Sequence, residues 1–342
     1  MHKLLSPAMR TGRSPCDWIA WMKPQERFDL IMNRQSRFEW GKEYVPSILA
    51  LPREAPKGSR ISRLHSRKLG RTIHLLSGPE KLFAQLALYH PDLFELHEQK
   101  MLWPIHAPHP LRGHPLTKGT FPPPLNGTVE IAEDIGFKHY EIIKEDAAGV
   151  RRKMPYPYLG DLLLYLRRDC GAPYAINWSV KDHGSAFHER RVGKAKTPVQ
   201  QKKDREHAEQ RAQLERRYYA SAGIRTVEVS LDQIPPIVQA NLDLLFGMHG
   251  RDFSLDMALL EEFGFEVADV VERGDPPFYT AKEYGARWGF RDQFIAKIYQ
   301  DIWDRKILVD LNEPILINEP LFTGGGDLLL EFSALFEEVL TP

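Results

Sequence analysis

Only two cysteines, Cys16 and Cys170, occur in the 342 residues. That excludes a disulfide framework and a cysteine-rich zinc site, and it fits a reducing cytoplasm. No segment approaches the roughly 20 apolar residues of a membrane-spanning helix. The N-terminus also lacks the uninterrupted apolar core of a signal peptide. The expectation is a soluble cytoplasmic protein with no membrane partner. Despite 26 prolines and 24 glycines, there is no low-complexity tract, internal repeat or long linker. No glycine-rich loop of the phosphate-cradling kind occurs; Gly324, Gly325 and Gly326 read as a tail turn.

Net charge is also missing, at +0, but the charges are segregated. Residues 1–75 carry 15 Lys/Arg against 6 Asp/Glu, a net +9, and residues 243–342 carry 8 against 20, a net −12. A basic front half can follow a phosphate backbone, whereas an acidic tail suits a protein partner. The length allows two ordinary domains.

The N-terminal 38 residues show no clear periodicity and read as a partly helical basic arm, with Trp18, Trp21 and Phe28 as anchors. Strands are predicted over 44–48, 59–64 and 72–76. Ser77 is a good N-cap, Pro79 lies just inside the helix start and Glu80 stands three after the cap, so a helix should run over 78–90. A strand over 94–103 follows. A proline-rich loop over 104–125 carries His106, His109 and His114, and a short helix is expected over 129–136.

The stretch 158–182 reads as a β-hairpin turning around 168–173. Reflected about Gly171, its strands place Asp161 opposite Lys181, and side-chain alternation points Ser179 and Lys181 the same way. Thr197 and Pro198 open a highly charged helix to about residue 222, closed by Gly223, before a strand over 224–229 and a helix over 236–246. This order describes a mixed sheet flanked by helices. Beyond Gly247, a capping box at 280–283, a turn at Trp288 and Gly289, a helix over 291–305 and a hairpin around Asn312 and Glu313 give the order of a winged helix-turn-helix.

Glu80, Asp161 and Lys181 are residue types that phosphodiester hydrolysis can use. Carboxylates hold magnesium, and a lysine orients water or stabilises charge. Two before the lysine, Ser179 is a weaker ligand than an acid or amide, and the Val180 or Ser179 carbonyl is an alternative. Each residue also has a plainer role: Glu80 completes a capping box, Asp161 follows Gly160 at a strand entry, and Lys181 adjoins a turn. His183 and His188, five apart, suit neither one helix face nor one strand face as a metal pair. The basic run including Arg190, Arg191, Lys194, Lys202 and Lys203 could grip phosphates or form a solvated helix face, since Asp204, Glu206, Glu209 and Glu215 are interleaved with it.

Several blocks in consistent order, from about residue 40 to 246, resemble one family. These are GKEYVP at 41–46, SRKLGRTIHLLS at 66–77 with Glu80, LHEQ at 96–99, IAEDIGFKH at 131–139, the Asp161 and Val180-Lys181 hairpin, and LERRYY at 214–219 followed by Gly223-Ile224-Arg225. Together they are similar to the TnsA endonucleases of Tn-seven-type transposons, with a looser match beyond. The resemblance implies a restriction-endonuclease-like α/β catalytic domain over 1–248, basic arm included, and a winged-helix domain over 249–342. It maps a magnesium site (manganese as substitute) onto Glu80, Asp161 and Lys181, and places the family's glutamine ligand at Ser179. It further implies cleavage of the five-prime strands at transposon ends, a TnsB-type DDE transposase partner for the three-prime strands, and a TnsC-type AAA+ regulator contacting the C-terminal part. The setting would be a bacterial cytoplasm, at the nucleoid when active. Expected DNA contacts are Arg67, Lys68, Arg71, Arg190, Arg191, Lys194, Lys202 and Lys203. A catalytically decayed DNA and protein adaptor is the alternative.

Overall fold

A computed structural model describes residues 22–37, 39–119, 121–145, 149–188 and 196–338. Helix α1 (Pro24–Gln35) leads into a two-stranded ribbon of β1 (Ser62–Ser66) and β2 (Arg71–Leu75), then helix α2 (Gly78–Tyr89). Next come β3 (Leu93–Glu98), β4 (Met101–Leu102), α3 (Thr128–Asp134), the hairpin β5 (Glu141–Glu145) and β6 (Arg151–Pro155), and β7 (Tyr158–Leu159). Strands β8 (Leu162–Arg167) and β9 (Pro173–Lys181), helix α4 (Pro198–Ala220), β10 (Arg225–Ser230) and α5 (Pro236–His249) complete this part. Helices α6 (Met257–Glu272), α7 (Phe278–Trp288), α8 (Arg291–Trp303) and the short α9 (Leu328–Glu331) follow.

The central sheet has the order β10-β9-β8-β3, with β10 parallel to β9 and the other pairs antiparallel. Its two faces follow the two-residue period of strands. Leu162, Leu164, Leu166, Ile176, Trp178 and Val180 share a core with Phe83, Leu86 and Ala87 of α2. Leu163, Tyr165 and Ala175 instead pack with Leu214, Tyr218 and Tyr219 of α4. The result is a mixed sheet between helices, the α/β class expected.

Both helices that cover the sheet start where their caps dictate. The Ser77 hydroxyl accepts from Glu80 N at 3.2 Å. Thr197 and Gln200 form a reciprocal capping box, at 3.3 Å and 3.0 Å. Gly223, at φ +73°, turns the chain out of α4.

Several sequence expectations need correction. Residues 44–48 form no strand; Tyr44 and Ser47 lie over the end of β3, where the Tyr44 hydroxyl donates to Glu98 O (2.7 Å) and Ser47 N to Gln99 O (3.2 Å). The strand expected over 94–103 breaks into β3 and β4, with Gln99 in a left-handed conformation (φ +50°) between them. Helix α7 begins at Phe278, behind Pro276 and Pro277, so Thr280 is buried inside it and caps nothing. No ladder forms over 306–317; Asp310 N donates to Phe322 O (2.7 Å) and Phe278 N to Ile317 O (2.8 Å) instead. Pro314 and Pro320 lack the N–H groups that a regular hairpin there would use. Of the arm, Phe28 is buried on α1, whereas Trp18 and Trp21 lie outside the described residues.

One apolar core runs from Leu69 and α2 through α5 to α8 and Phe336, so it crosses residue 248 without interruption. The last described segment returns to the central sheet, where Leu335 O accepts from Trp178 Nε1 at 2.9 Å and Glu338 pairs with Arg168.

Arg71 is a further correction. It points inward from β2 and is 7% exposed. Its guanidinium forms two 2.9 Å bonds with Glu98 and lies 3.7 Å from Glu95. This is an internal ion pair and presents nothing to DNA. Removing one partner strands buried carboxylates, which typically costs about 3–5 kcal/mol. Arg71→Ala should therefore lower unfolding stability by about that amount in urea titrations, and an unchanged midpoint would refute the assignment.

Candidate active site

The hairpin register sets the site. Leu162 pairs with Trp178 and Leu163 with Asn177, so the ribbon is centred one residue earlier than the reflection about Gly171. Extended by one step, that register brings Asp161 opposite Ser179, with Lys181 two residues further along. Asp161 is also pushed onto the sheet rim by a kink, because residues 160–161 separate β7 from β8 while residues 99–100 separate β4 from β3. The kink is closed by Gln99 N to Asp161 O (3.0 Å) and Gly160 N to Lys100 O (2.8 Å). A Cβ on Gly160 would come within 3.0 Å of the Tyr219 hydroxyl, so this close approach favours glycine.

Asp161 Oδ2 accepts from Val180 N at 2.7 Å and from Lys181 Nζ at 3.3 Å. The same ammonium donates to Val180 O at 2.9 Å. Among the described residues two of its three protons are thereby engaged, which leaves one that a ligand could take. Burial acts to lower the Lys181 pKa, but the Asp161 and Glu215 carboxylates outweigh it and raise it above the ordinary value. Lys181 is therefore a cation at neutral pH and not a base.

Glu80 enters from the first turn of α2 and is buried. Its Oε2 accepts from Leu76 N (2.9 Å) and Gln99 Nε2 (3.0 Å), and Oε1 from the Ser77 hydroxyl (3.0 Å). The capping role is thus real but modified, because the carboxylate reaches one residue behind the cap. Burial and then the Asp161 charge push its pKa up to about 7. Glu80, Gln99, Asp161 and Asp182 line one cleft of about 670 Å³. Asp161, Ser179, Lys181 and Asp182 line a second, of about 750 Å³, walled by His207, Arg211 and Glu215 of α4. Asp161 lies where the two meet.

Among the described residues, no three or more His, Cys, Asp or Glu side chains are grouped to hold a metal ion. The two carboxylates nevertheless keep acceptor capacity. Asp161 Oδ1 takes no hydrogen bond among the described residues, and Glu80 Oε1 takes one. Carboxylate oxygens are the donors that a hard cation such as magnesium or manganese takes, and the Val180 carbonyl, which accepts from Lys181, is a further oxygen beside Asp161. The Ser179 side chain lines the Lys181 cleft and not the cleft of Glu80.

The expected DNA contacts fare differently. Arg67 Nη1 donates to His249 O (2.7 Å) and Gln300 Oε1 (3.1 Å). The Lys68 ammonium caps the far end of α2 through Leu88 O (2.9 Å) and His90 O (2.6 Å). Leu88 stands eight residues along the helix from Glu80, or about 12 Å, so this turn is remote from the cleft. Arg190, Arg191 and Lys194 lie outside the described residues. Lys202 pairs with Glu206 (3.9 Å), while Lys203 is exposed with no ion pair among the described residues. Arg211 pairs with Glu215 and Arg216 with Glu228, so part of this charge is internal to the fold.

Sequence reasoning missed Lys57 and Arg60. Both are exposed, have no ion pair among the described residues, and line the Glu80 cleft. Two unpaired cations beside Gly58 in a loop were the available signal. His183 lines the Lys181 cleft, while His109 and His114 accept from backbone amides within their own loop.

In sequence comparisons the chain matches no protein-family model and no curated protein. No helix among the described residues is long and apolar enough to cross a membrane.

The raised Glu80 pKa has a thermodynamic consequence. The folded state holds a proton between about pH 4.5 and 7 that the unfolded chain releases, so this group makes stability fall as pH rises through that window. Glu80→Gln removes the term. In chelator, its melting temperature should exceed that of the unsubstituted protein by roughly 2–4 °C at pH 8, with the gap closing at pH 5. A gap that does not depend on pH would contradict the assignment.

Proposed function

We propose that the protein is a magnesium-dependent DNA endonuclease, the subunit of a Tn-seven-type transposase that cuts the five-prime strands at transposon ends. The supporting observation is the convergence on one sheet rim of Glu80, Asp161 and Lys181, which lie far apart in the chain. A restriction-endonuclease-like catalytic domain and a C-terminal winged-helix domain belong to the same proposal, as do a TnsB-type transposase and a TnsC-type regulator as partners.

Glu80 and Asp161, with the Val180 carbonyl, would hold the cation. When bound, magnesium supplies Lewis acidity toward a phosphoryl oxygen and lowers the pKa of water. The chain's own groups do the rest. Asp161 fixes the Lys181 ammonium through Oδ2, and from the cleft it lines that ammonium would orient the attacking water or meet charge growing on the phosphate. The new bond joins the water oxygen to phosphorus, and the bond to the three-prime oxygen breaks. The products are a five-prime phosphate and a three-prime hydroxyl. Lys57 and Arg60, across the cleft from the acids, would hold the entering backbone.

The decisive experiment is a reconstituted excision assay with the partner transposase and end-labelled DNA. Asp161→Ala should abolish five-prime strand cleavage while leaving the fold and DNA binding nearly unchanged. Wild-type cutting by that variant would remove Asp161 from the chemistry. No cutting by the unsubstituted protein in magnesium or manganese, with its partner present, would favour the adaptor reading. For the loop, the double variant Lys57→Ala, Arg60→Ala should reduce the slope of log K against log salt by about 0.9 for each phosphate that is no longer neutralised. Manganese binding should stay as it was.

A further inference from the structure

We infer that Gln99 is the positioning residue of this centre, holding Glu80 and Asp161 in mutual register so that the two carboxylates receive one cation together. The inference rests on the nuclease reading and adds to it a residue that touches neither substrate nor reacting atoms.

Gln99 is 4% exposed and contacts both acids by different groups. Its side-chain amide donates to Glu80 Oε2 at 3.0 Å, and its backbone N–H donates to Asp161 O at 3.0 Å. Glu80 belongs to α2 and Asp161 to the β7–β8 kink, so Gln99 joins two elements remote in sequence at the point where their acids face one cleft. Directing a donor at Oε2, alongside Leu76 N, leaves Oε1 as the oxygen with capacity to spare.

The residue is itself fixed. Its φ of +50° is uncommon for any residue with a side chain. Its carbonyl accepts from Ser47 N at 3.2 Å. The preceding Glu98 is held by Arg71, and its carbonyl accepts from the Tyr44 hydroxyl. That conformation and those backbone bonds set the place from which the amide reaches Glu80. Outer partners that orient ligands typically contribute about 10–100-fold to metal affinity or activity.

Gln99→Gly separates the two bonds, because glycine accepts a positive φ and retains the backbone N–H while the amide is removed. Gln99→Met is the second variant and removes only the donor, at nearly the same volume. Manganese binding by titration calorimetry should weaken about 10–100-fold in both, with melting temperatures in chelator at or near the unsubstituted value. Five-prime strand cleavage should need correspondingly more metal and recover most of its maximal rate at saturation. A purely structural residue would move the melting temperature and not this metal dependence.

Unchanged metal dependence in both variants overturns the inference. So does loss of folding in both, which would assign Gln99 to the scaffold. Asp161→Ala run alongside distinguishes the two levels of failure. If it binds manganese and cuts as the unsubstituted protein does, the nuclease reading itself falls; if it is inactive while the Gln99 variants behave normally, only the role of Gln99 falls.

Discussion

Holding the buried Glu80 carboxylate near the half-buried Asp161 at one cleft is the constraint on which the rest of the site depends. Burial, and after it the Asp161 charge, raises the cost of ionising Glu80. Nothing in the apolar packing requires either group to be charged. The surrounding fold answers with donors: the Leu76 and Val180 amides, the Ser77 hydroxyl, the Gln99 amide and the Lys181 ammonium. Val180 and Lys181 belong to β9, Leu76 and Ser77 join β2 to α2, and Gln99 sits in the turn between β3 and β4. A bound divalent cation, as proposed, would remove the repulsion while using the remaining oxygen lone pairs.

The sheet explains why those supports meet. One face of β8 and β9 is closed by α2 and the other by α4, so the interior offers no water to either side of the hairpin. Only at the kink, where Gly160 and Asp161 face Gln99 and Lys100, does the ladder open enough to bring polar side chains to the rim. Backbone groups buried there must still be paired, and the two cross-kink hydrogen bonds do this. The irregularity that exposes Asp161 therefore also connects it to the turn carrying Gln99.

Much of this was legible in the sequence, because the signals were local. Ser77 with Glu80, Thr197 with Pro198 and the glycine after α4 marked helix ends through cap chemistry that operates within four residues. The apolar residues over 159–166, the turn-rich stretch 168–173 and the run over 175–180 gave the hairpin, although the turn centre was displaced by one residue; symmetry about a glycine is a weaker guide than the ladder itself. What failed depended on partners distant in the chain. Arg71 looked like a surface cation because the acids that neutralise it, Glu95 and Glu98, stand on another strand. The expected strand at 44–48 had the right residue types, but its hydrogen bonds go singly to the β3–β4 turn. The expected hairpin near Asn312 was read from its turn residues, while Pro314 and Pro320 denied it a ladder.

Charge counted along the chain likewise overstated the surface available to a polyanion. The net +9 of residues 1–75 includes Arg34, paired with Glu54, as well as Arg71 and the internally bonded Arg67 and Lys68. Among the described residues, Lys57 and Arg60 are the cations that line the Glu80 cleft. Two phosphate contacts confer little affinity at physiological salt, since the electrostatic part of DNA binding grows with the number of phosphates neutralised. Under the proposed nuclease reading, two unpaired cations among the described residues of this cleft would leave much of the hold on DNA to a companion. A cutter that depends on a transposase for its substrate is the form of the proposed function that the electrostatics of the described residues favour.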